Sequence, residues 1–450
     1  ENFNPNFPPD GSSAISQNIT GTSLADTLIG GFGDDTINGL GGNDVIDGQA
    51  GSDIIDGGDG DDTIDGNYGN DTLYGGAGND TLRDDQGSNI LDGGNGSDNL
   101  SSQSLSGQHT LLGGNGNDFL QATGLEVNLD GGEGDDYLNA NGNYAEDNVL
   151  DGTAILAGGI GNDSLSVDNY SHGTLDGGSG NDQLNLSSSQ SGLLLGGEGE
   201  DNLSVQIYGW STSDTDSEQY LSKEYSLEGG ADNDTLQVRG SNSNYYGQTY
   251  LNLDGGSGND ELTVVDNDAG DTGNNGQNYG IVQANLNGGE GNDTLTASGV
   301  LQLSLTGGAG SDVFALTARQ YRTLLEGVRS FQNTDNIYTS VSAEGTVITD
   351  FTTGVGGDIL DYADLLRNGT LSYDGSNPFA SGFLALEQTG NDTYLLFDAD
   401  GSEQTTDSAV VIAILQNVTA IDLVTENFNP NFPPDGSSAI SQNITGTSLA

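Results

Sequence analysis

An acid recurs every nine residues near the start of this chain. Read from Asp26, it stands at Asp35, Asp44, Asp53, Asp62, Asp71 and Asp80; Asn89 takes the next place and Asp98 the one after. Two residues behind each comes an aliphatic: Leu28, Ile37, Ile46, Ile55, Ile64, Leu73, Leu82, Leu91 and Leu100. Glycines precede the acids, as in GGFGDD (30–35) and GGAGND (75–80). A flexible glycine-rich linker would not hold an aliphatic in phase through repeat after repeat. The pattern G-G-x-G-x-D-x-U-x predicts instead a parallel β-helix of very short strands, with the aliphatic pointing inward.

Nine residues make one turn and one strand, so two nonapeptides make a full winding. Each Asp then stacks over the Asp eighteen residues away. Glycine permits the tight turn and leaves its carbonyl oxygen accessible. Calcium takes six to eight oxygen ligands from carboxylates and backbone carbonyls, and an ion fits between successive loops. The carboxylate candidates in the regular stretch are Asp26, Asp35, Asp44, Asp53, Asp62, Asp71, Asp80 and Asp98. The glycine candidates there are Gly31, Gly33, Gly58, Gly60, Gly76, Gly78, Gly94 and Gly96. GLGGND (39–44), GQAGSD (48–53) and GNYGND (66–71) lack the second glycine. This weakens the turn more than it removes a ligand.

From 101 to 316 the motif appears once per winding. Its acids are Asp118, Asp136, Asp163, Asp182, Asp201, Asp234, Asp260, Asp293 and Asp312. The accompanying glycine candidates are Gly114, Gly116, Gly132, Gly134, Gly159, Gly161, Gly178, Gly180, Gly197, Gly199, Gly256, Gly258, Gly289, Gly291, Gly308 and Gly310. The alternate half-winding keeps its inward aliphatic (Leu111, Leu129, Leu156, Leu175, Leu194, Leu227, Leu253, Leu286, Leu305) but has lost the acidic turn. Insertions at 139–155, 204–226, 237–252 and 263–285 all fall in that half, so they leave from the edge without calcium. They hold Tyr144, Tyr208, Trp210, Tyr220, Tyr225, Tyr245, Tyr246, Tyr250 and Tyr279. Tyr and Trp favour interfaces, so this edge reads as a lateral contact or ligand face; the alternative is that the loops fold back over the core.

The net charge of −61, from 68 acids against seven Lys and Arg, opposes compaction in the absence of cations. With only 32% hydrophobic residues, the cation-free chain is expected to be largely disordered, and metal binding to supply folding free energy. Nucleic acid is excluded as a partner, because neutralising phosphates needs clustered Lys and Arg. Cysteine is absent, which fits an exported chain stabilised by metal rather than by disulfides. No apolar run reaches membrane-spanning length. The chain has no Met and opens on no signal-peptide pattern, as expected of a mature piece or an excerpt.

Residues 1–25 return unchanged as 426–450. The expectation is a tandem array of near-identical units, with 426–450 starting the next; the alternative is an artificial duplication. Six of the seven prolines lie in the two copies (Pro5, Pro8, Pro9, Pro430, Pro433, Pro434), so 1–20 reads as a semi-rigid linker between units. At about 3.1 Å per residue, ten such residues reach roughly 30 Å. Phe3 and Phe7 are candidates to dock on a neighbouring unit.

Between 317 and 425 the composition changes. ARQYRTLLEGVRSF (318–331) predicts an amphipathic helix. The stretches VITDFTTGVGGDILDYADLL (347–366), DTYLLFDADGS (392–402) and VVIAILQNVTAIDL (411–423) predict a β-rich cap, which an open roll end requires. Asp350, Asp358, Asp361, Asp398 and Asp400 are further candidate ligands.

The nonapeptides resemble the RTX repeats of proteins exported by type I secretion, and the I-x-D-F…G-x-D-x-L-D segment at 348–361 resembles the C-terminal region of that family. The resemblance implies an all-β fold: a right-handed parallel β-roll solenoid with calcium in its turns, outside the cell. Roughly 10–15 ions per unit are expected from the number of loops. No HExxH helix or GxSxG elbow is present, and His109 and His172 stand apart in sequence. A non-catalytic role follows. The expected one is a calcium-hardened structural unit of an extracellular filament, surface layer or matrix fibre, with identical units as partners. The alternative is an adhesin or carbohydrate-binding module, with a surface or matrix polysaccharide as ligand.

Overall fold

A computed structural model describes residues 15–142, 152–208, 222–240, 248–266, 280–326, 328–332, 338–342, 345–370, 373–401 and 409–432. The chain forms two compact units, Glu1–Ile207 and Tyr208–Ala450.

In the first unit successive strands alternate between two parallel sheets, each strand pairing with the one a full winding on. One sheet begins at Asn18–Thr20 and runs through Thr36–Asn38, Ile54–Asp59, Thr72–Ala77 and Ile90–Asn95 to Ser191–Glu198. The other begins at Thr27–Phe32 and runs through Val45–Ala50, Thr63–Asp65, Thr81–Asp84 and Asn99–Gln103 to Asn202–Ile207. This is the parallel β-roll expected from the sequence. Strand pairing starts inside the stretch read as linker, because Asn18–Thr20 already pairs with Thr36–Asn38.

The register follows the aliphatics. Ile37 lies opposite Ile55, Ile55 opposite Leu73, and Leu73 opposite Leu91. From the second sheet Ile46, Ile64, Leu82 and Leu100 face them, and all are buried. Leaving one such side chain in water would forgo about 1.5–3 kcal/mol. The half-winding aliphatics Leu111, Leu129, Leu156, Leu175 and Leu194 continue the column.

The second unit repeats the arrangement. Lys223–Ala231, Gln248–Ser257, Gly280–Glu290, Gln302–Ala309 and Thr346–Ile348 form one parallel series. Thr235–Gly240, Glu261–Asp266, Thr294–Ser298, Val313–Leu316 and Ile359–Asp361 form the other. The cap is mixed. Thr346–Ile348 pairs in parallel with Val410–Leu415, which continues antiparallel through Asp392–Phe397 to Leu384–Thr389.

The anticipated helix is shorter than its sequence pattern. It spans Ala318–Glu326, and Val328–Gln332 is a strand paired with Tyr338–Ser342. In the sequence a glycine follows Glu326, and glycine lowers helix propensity. Gln320 on this helix satisfies both backbone groups of Val300 through its side-chain amide. A second helix, Ala363–Gly369, was not anticipated from the sequence; Leu365 and Leu366 bury it against the cap.

Candidate metal edge

One edge of the roll carries a ladder of carboxylates. The backbone N–H of each motif Asp donates to Oδ1 of the motif Asp one winding on. The steps from Asp44 to Asp62, Asp62 to Asp80 and Asp80 to Asp98 are each 2.7 Å. The ladder continues through Asp118, Asp136, Asp163 and Asp182 to Asp201. In the second unit it runs from Asp234 through Asp260 and Asp293 to Asp312. These side chains are buried, and the Oδ2 atoms from Asp44 to Asp182, and of Asp260, Asp293 and Asp312, have no hydrogen-bond partner. Burying an unpaired carboxylate oxygen is costly, so its uniform recurrence along an edge calls for a compensating group.

The first glycine of each motif shows where that group fits. A methyl carbon on Gly75 would come 2.5 Å from Asp80 Oδ2 and 2.7 Å from the Gly93 carbonyl oxygen. On Gly229 it would come 2.5 Å from both Asp234 Oδ2 and the Gly255 carbonyl oxygen. The carboxylate oxygen and a carbonyl oxygen of the next winding therefore converge on the space that glycine leaves. At the second and fourth motif positions carbonyls point the other way along the roll, from Gly58 toward Gly76 and from Gly60 toward Gly78. Among the described residues no three His, Cys, Asp or Glu side chains converge. The donors are thus mainly carbonyls joined by carboxylate oxygens from the ladder, a hard all-oxygen set that suits calcium.

Electrostatics agree. Burial pushes Asp53 and Asp80 up to about 7 against the lowering effect of the backbone hydrogen bond each accepts, and neighbouring ladder acids add to the rise. Burial likewise pushes Asp98, Asp118, Asp136, Asp163 and Asp293 up to about 6. Without a cation, the ladder resists carrying full charge.

The opposite edge has this chemistry only at its start. Gln17 N–H donates to Asp35, Asp35 to Asp53, and Asp53 to Asp71. Asn89 accepts the next bond, from Asp71, at 3.1 Å. Beyond it a buried polar relay takes over. Asn89 Nδ2 donates to Ser102 Oγ, which lies 2.8 Å from His109 Nδ1. The histidines that stand apart in sequence are thus each paired with a serine, His172 with Ser191. Ser102 and His109 are sealed in the core, where no substrate reaches them. Asp84 and Asp71 converge beside Gly66. Burial, and after it the neighbouring Asp71, pushes Asp84 up to about 9.

Several structural residues were missed in the sequence reading. First-motif glycines such as Gly39, Gly57, Gly75 and Gly93 were not singled out, although the GG doublet signals them. The fifth motif position was also missed. There the backbone N–H bonds to the side chain one winding before: Asp61 to Asn43, Asn79 to Asp61, Ser97 to Asn79. This ladder runs opposite to the Asp ladder beside it, and the prevalence of Asn, Asp and Ser there was its signal. In the three imperfect loops Leu40, Gln49 and Asn67 take the second glycine's place with φ of 72°, 72° and 68°. The turn survives there with left-handed strain.

Other expectations are redrawn. Asp358 accepts from Asp312 N–H and Thr352 N–H, so it ends the ladder with both oxygens satisfied. Asp350 receives Gly307 and Gly308 N–H, and Asp361 binds Ala363 N–H and the Asn429 amide. These three close the roll. Asp398 accepts from the Asp400 N–H in a local turn. Of the insertion aromatics Tyr208 is exposed, Tyr250 half-buried and Tyr225 buried at 2%. Tyr225 is therefore core rather than contact surface, because it occupies an inward strand position. Tyr144, Trp210, Tyr220, Tyr245, Tyr246 and Tyr279 lie outside the described residues, as do Phe3 and Phe7.

A family model of the RTX calcium-binding nonapeptide repeat, in four copies, matches residues 20–55, 47–82, 65–100, 112–143, 174–188 and 285–299. No curated protein matches the chain. The matched stretches are densest where both edges carry acids, and they leave the cap outside.

Proposed function

Because this chain is an RTX-repeat protein and its nonapeptides are calcium-binding repeats, we propose that it is a structural unit of a secreted filament, surface layer or matrix fibre, hardened by calcium. Supporting this above all is the uninterrupted run of orphan Oδ2 atoms from Asp44 to Asp182, each beside a glycine whose Cβ would fill the space. The motif Asp Oδ2 and glycine carbonyl oxygens would hold calcium, and the ion would supply a hard divalent charge to offset the buried carboxylates. Every motif Asp from Asp26 to Asp312 is a proposed ligand, with the motif glycines contributing carbonyls. Roughly 10–15 ions per unit follow from one ion between successive loops.

A stacked roll suits a scaffold rather than a catalyst. Its windings contact only their neighbours, so stability accumulates along one dimension. Identical units are the proposed partners, by virtue of the 425-residue repeat of residues 1–25. Among the described residues no helix is long and apolar enough to cross a membrane. An extracellular setting, where calcium is plentiful, suits sites built from few carboxylates and many carbonyls.

Circular dichroism of the whole chain with and without chelator tests this. Loss of the β-sheet signal on chelation is expected, and its return on adding calcium. An unchanged spectrum in excess chelator would overturn metal-driven folding. Electron microscopy with and without calcium tests assembly into fibres or sheets; dispersed particles together with selective glycan-array binding would favour the adhesin.

A further inference from the structure

The first residues of the second repeat copy are built into the cap. Phe428–Asn429 is a strand lying parallel to Ile359–Asp361, with Phe428 opposite Leu360. Asn427 and Phe428 are fully buried. The Asn427 side chain donates to the Asp358 carbonyl at 2.8 Å and accepts from Gly354 N–H at 3.0 Å. The Phe428 ring lies 6.2 Å from Tyr362 and 5.2 Å from Phe379. Tyr362 N–H donates to the Asn429 carbonyl, and its hydroxyl donates to the Pro430 carbonyl at 2.6 Å. Without this segment, the outer edge of Ile359–Asp361 would be an unpaired strand beside an apolar slot.

Asn2-Phe3-Asn4-Pro5 carries the same side chains in the same order as Asn427-Phe428-Asn429-Pro430. We propose that the cap groove formed by Leu360, Asp361, Tyr362 and Phe379 is a docking site for the Asn2–Pro5 segment of a second copy of this chain. The recognition is strand addition: main-chain pairing gives affinity, and the Asn and Phe pockets give specificity. The repeated 25 residues then serve as a joint with two contact sets. Its first five residues close one roll, and its Gln17–Thr20 portion opens another by pairing with Asp35 and Thr36–Asn38. In the intact chain Asn427–Pro430 holds the groove at high effective concentration, so docking between copies requires that this seat be weakened. The biological use rests on the tandem-unit reading; the docking itself does not.

The test uses the whole calcium-loaded chain carrying Phe428→Ala, and a synthetic peptide of residues 1–10, ENFNPNFPPD. The variant is expected to melt at lower temperature than the parent, and the peptide to restore part of the loss. The same peptide with Phe3→Ala should restore nothing. At high concentration the variant should form head-to-tail oligomers in sedimentation, which Phe3→Ala in the same chain abolishes. Should Phe428→Ala prevent folding, Asn427→Ala keeps the ring seated and removes the amide contacts; the peptide should then bind and stabilise that variant. No peptide stabilisation of either variant, or no loss of stability from Phe428→Ala, would overturn the proposal. Circular dichroism before peptide addition separates this outcome from a failure of calcium-dependent folding.

Discussion

Two residues beyond the inward aliphatic of each strand, the two edges of the roll part ways. On the acid edge that place stays glycine, as at Gly75, with Asp80 Oδ2 pressed against it. On the opposite edge it starts as Gly30, Gly48 and Gly66, becomes Asp84 and then Ser102, and thereafter is Ala122, Ala140, Val167, Leu186 and Val205. The facing place changes in step. Asp35, Asp53 and Asp71 give way to Asn89 and His109, then to Val127, Ala154, Gly173 and Gly192. Volumes compensate, because the Leu186 side chain reaches to 2.6 Å from where a Gly173 methyl would stand. The same winding can close an edge in two ways: with a carboxylate that requires a cation, or with aliphatic packing that does not.

Chelation should have the largest effect. Amides of Asp62, Asp80, Asp98 and Asp118 are expected to exchange at unfolded rates once calcium is removed, as read by hydrogen exchange. Protection at Val167 and Leu186 should fall with them, since both edges share every winding. Protection persisting there would mean that the apolar edge folds alone.

Next in size is Leu186→Ala, which removes packing where no ion helps. It should cost about 2–5 kcal/mol in the calcium-loaded chain, with the number of ions in a calcium titration unchanged. A fall in that number would show the two edges to be one cooperative site.

Acidification separates charge from metal. Burial pushes Asp80 up to about 7 and Asp98 up to about 6, against an ordinary 3.8. A raised folded value stabilises below the unfolded pKa and is lost as pH rises through the folded one. In chelator, β-sheet circular dichroism should therefore grow as pH falls from 8 through 6 toward 4. With calcium present, the same change should release ions by proton competition. A calcium-free chain that gains no structure on acidification would assign the instability to something other than ladder charge.

The smallest effect is expected at Gln49→Gly. Gln49 holds φ of 72°, a left-handed angle costing a side chain about 1–2 kcal/mol. Relief, offset by glycine's entropy in the unfolded chain, should raise stability by up to about 1 kcal/mol. A loss instead would mean that the glutamine side chain makes a contact worth more than the strain.

The repeat, with its acid and aliphatic in phase, was enough to determine the parallel roll, the inward column from Ile37 to Leu194 in the first unit and the edge on which the acids stack. Those features depend on spacing alone, because strand alternation and winding length convert sequence distance directly into position. Only the tertiary structure decided what each polar oxygen meets. That Asp358 satisfies both its oxygens while Asp312 keeps one orphaned, that Tyr225 is core, and that Phe428 packs into the cap all depend on contacts between segments tens of residues apart. No local period encodes such contacts. They arise where the repeat stops and the chain must satisfy its last open edge.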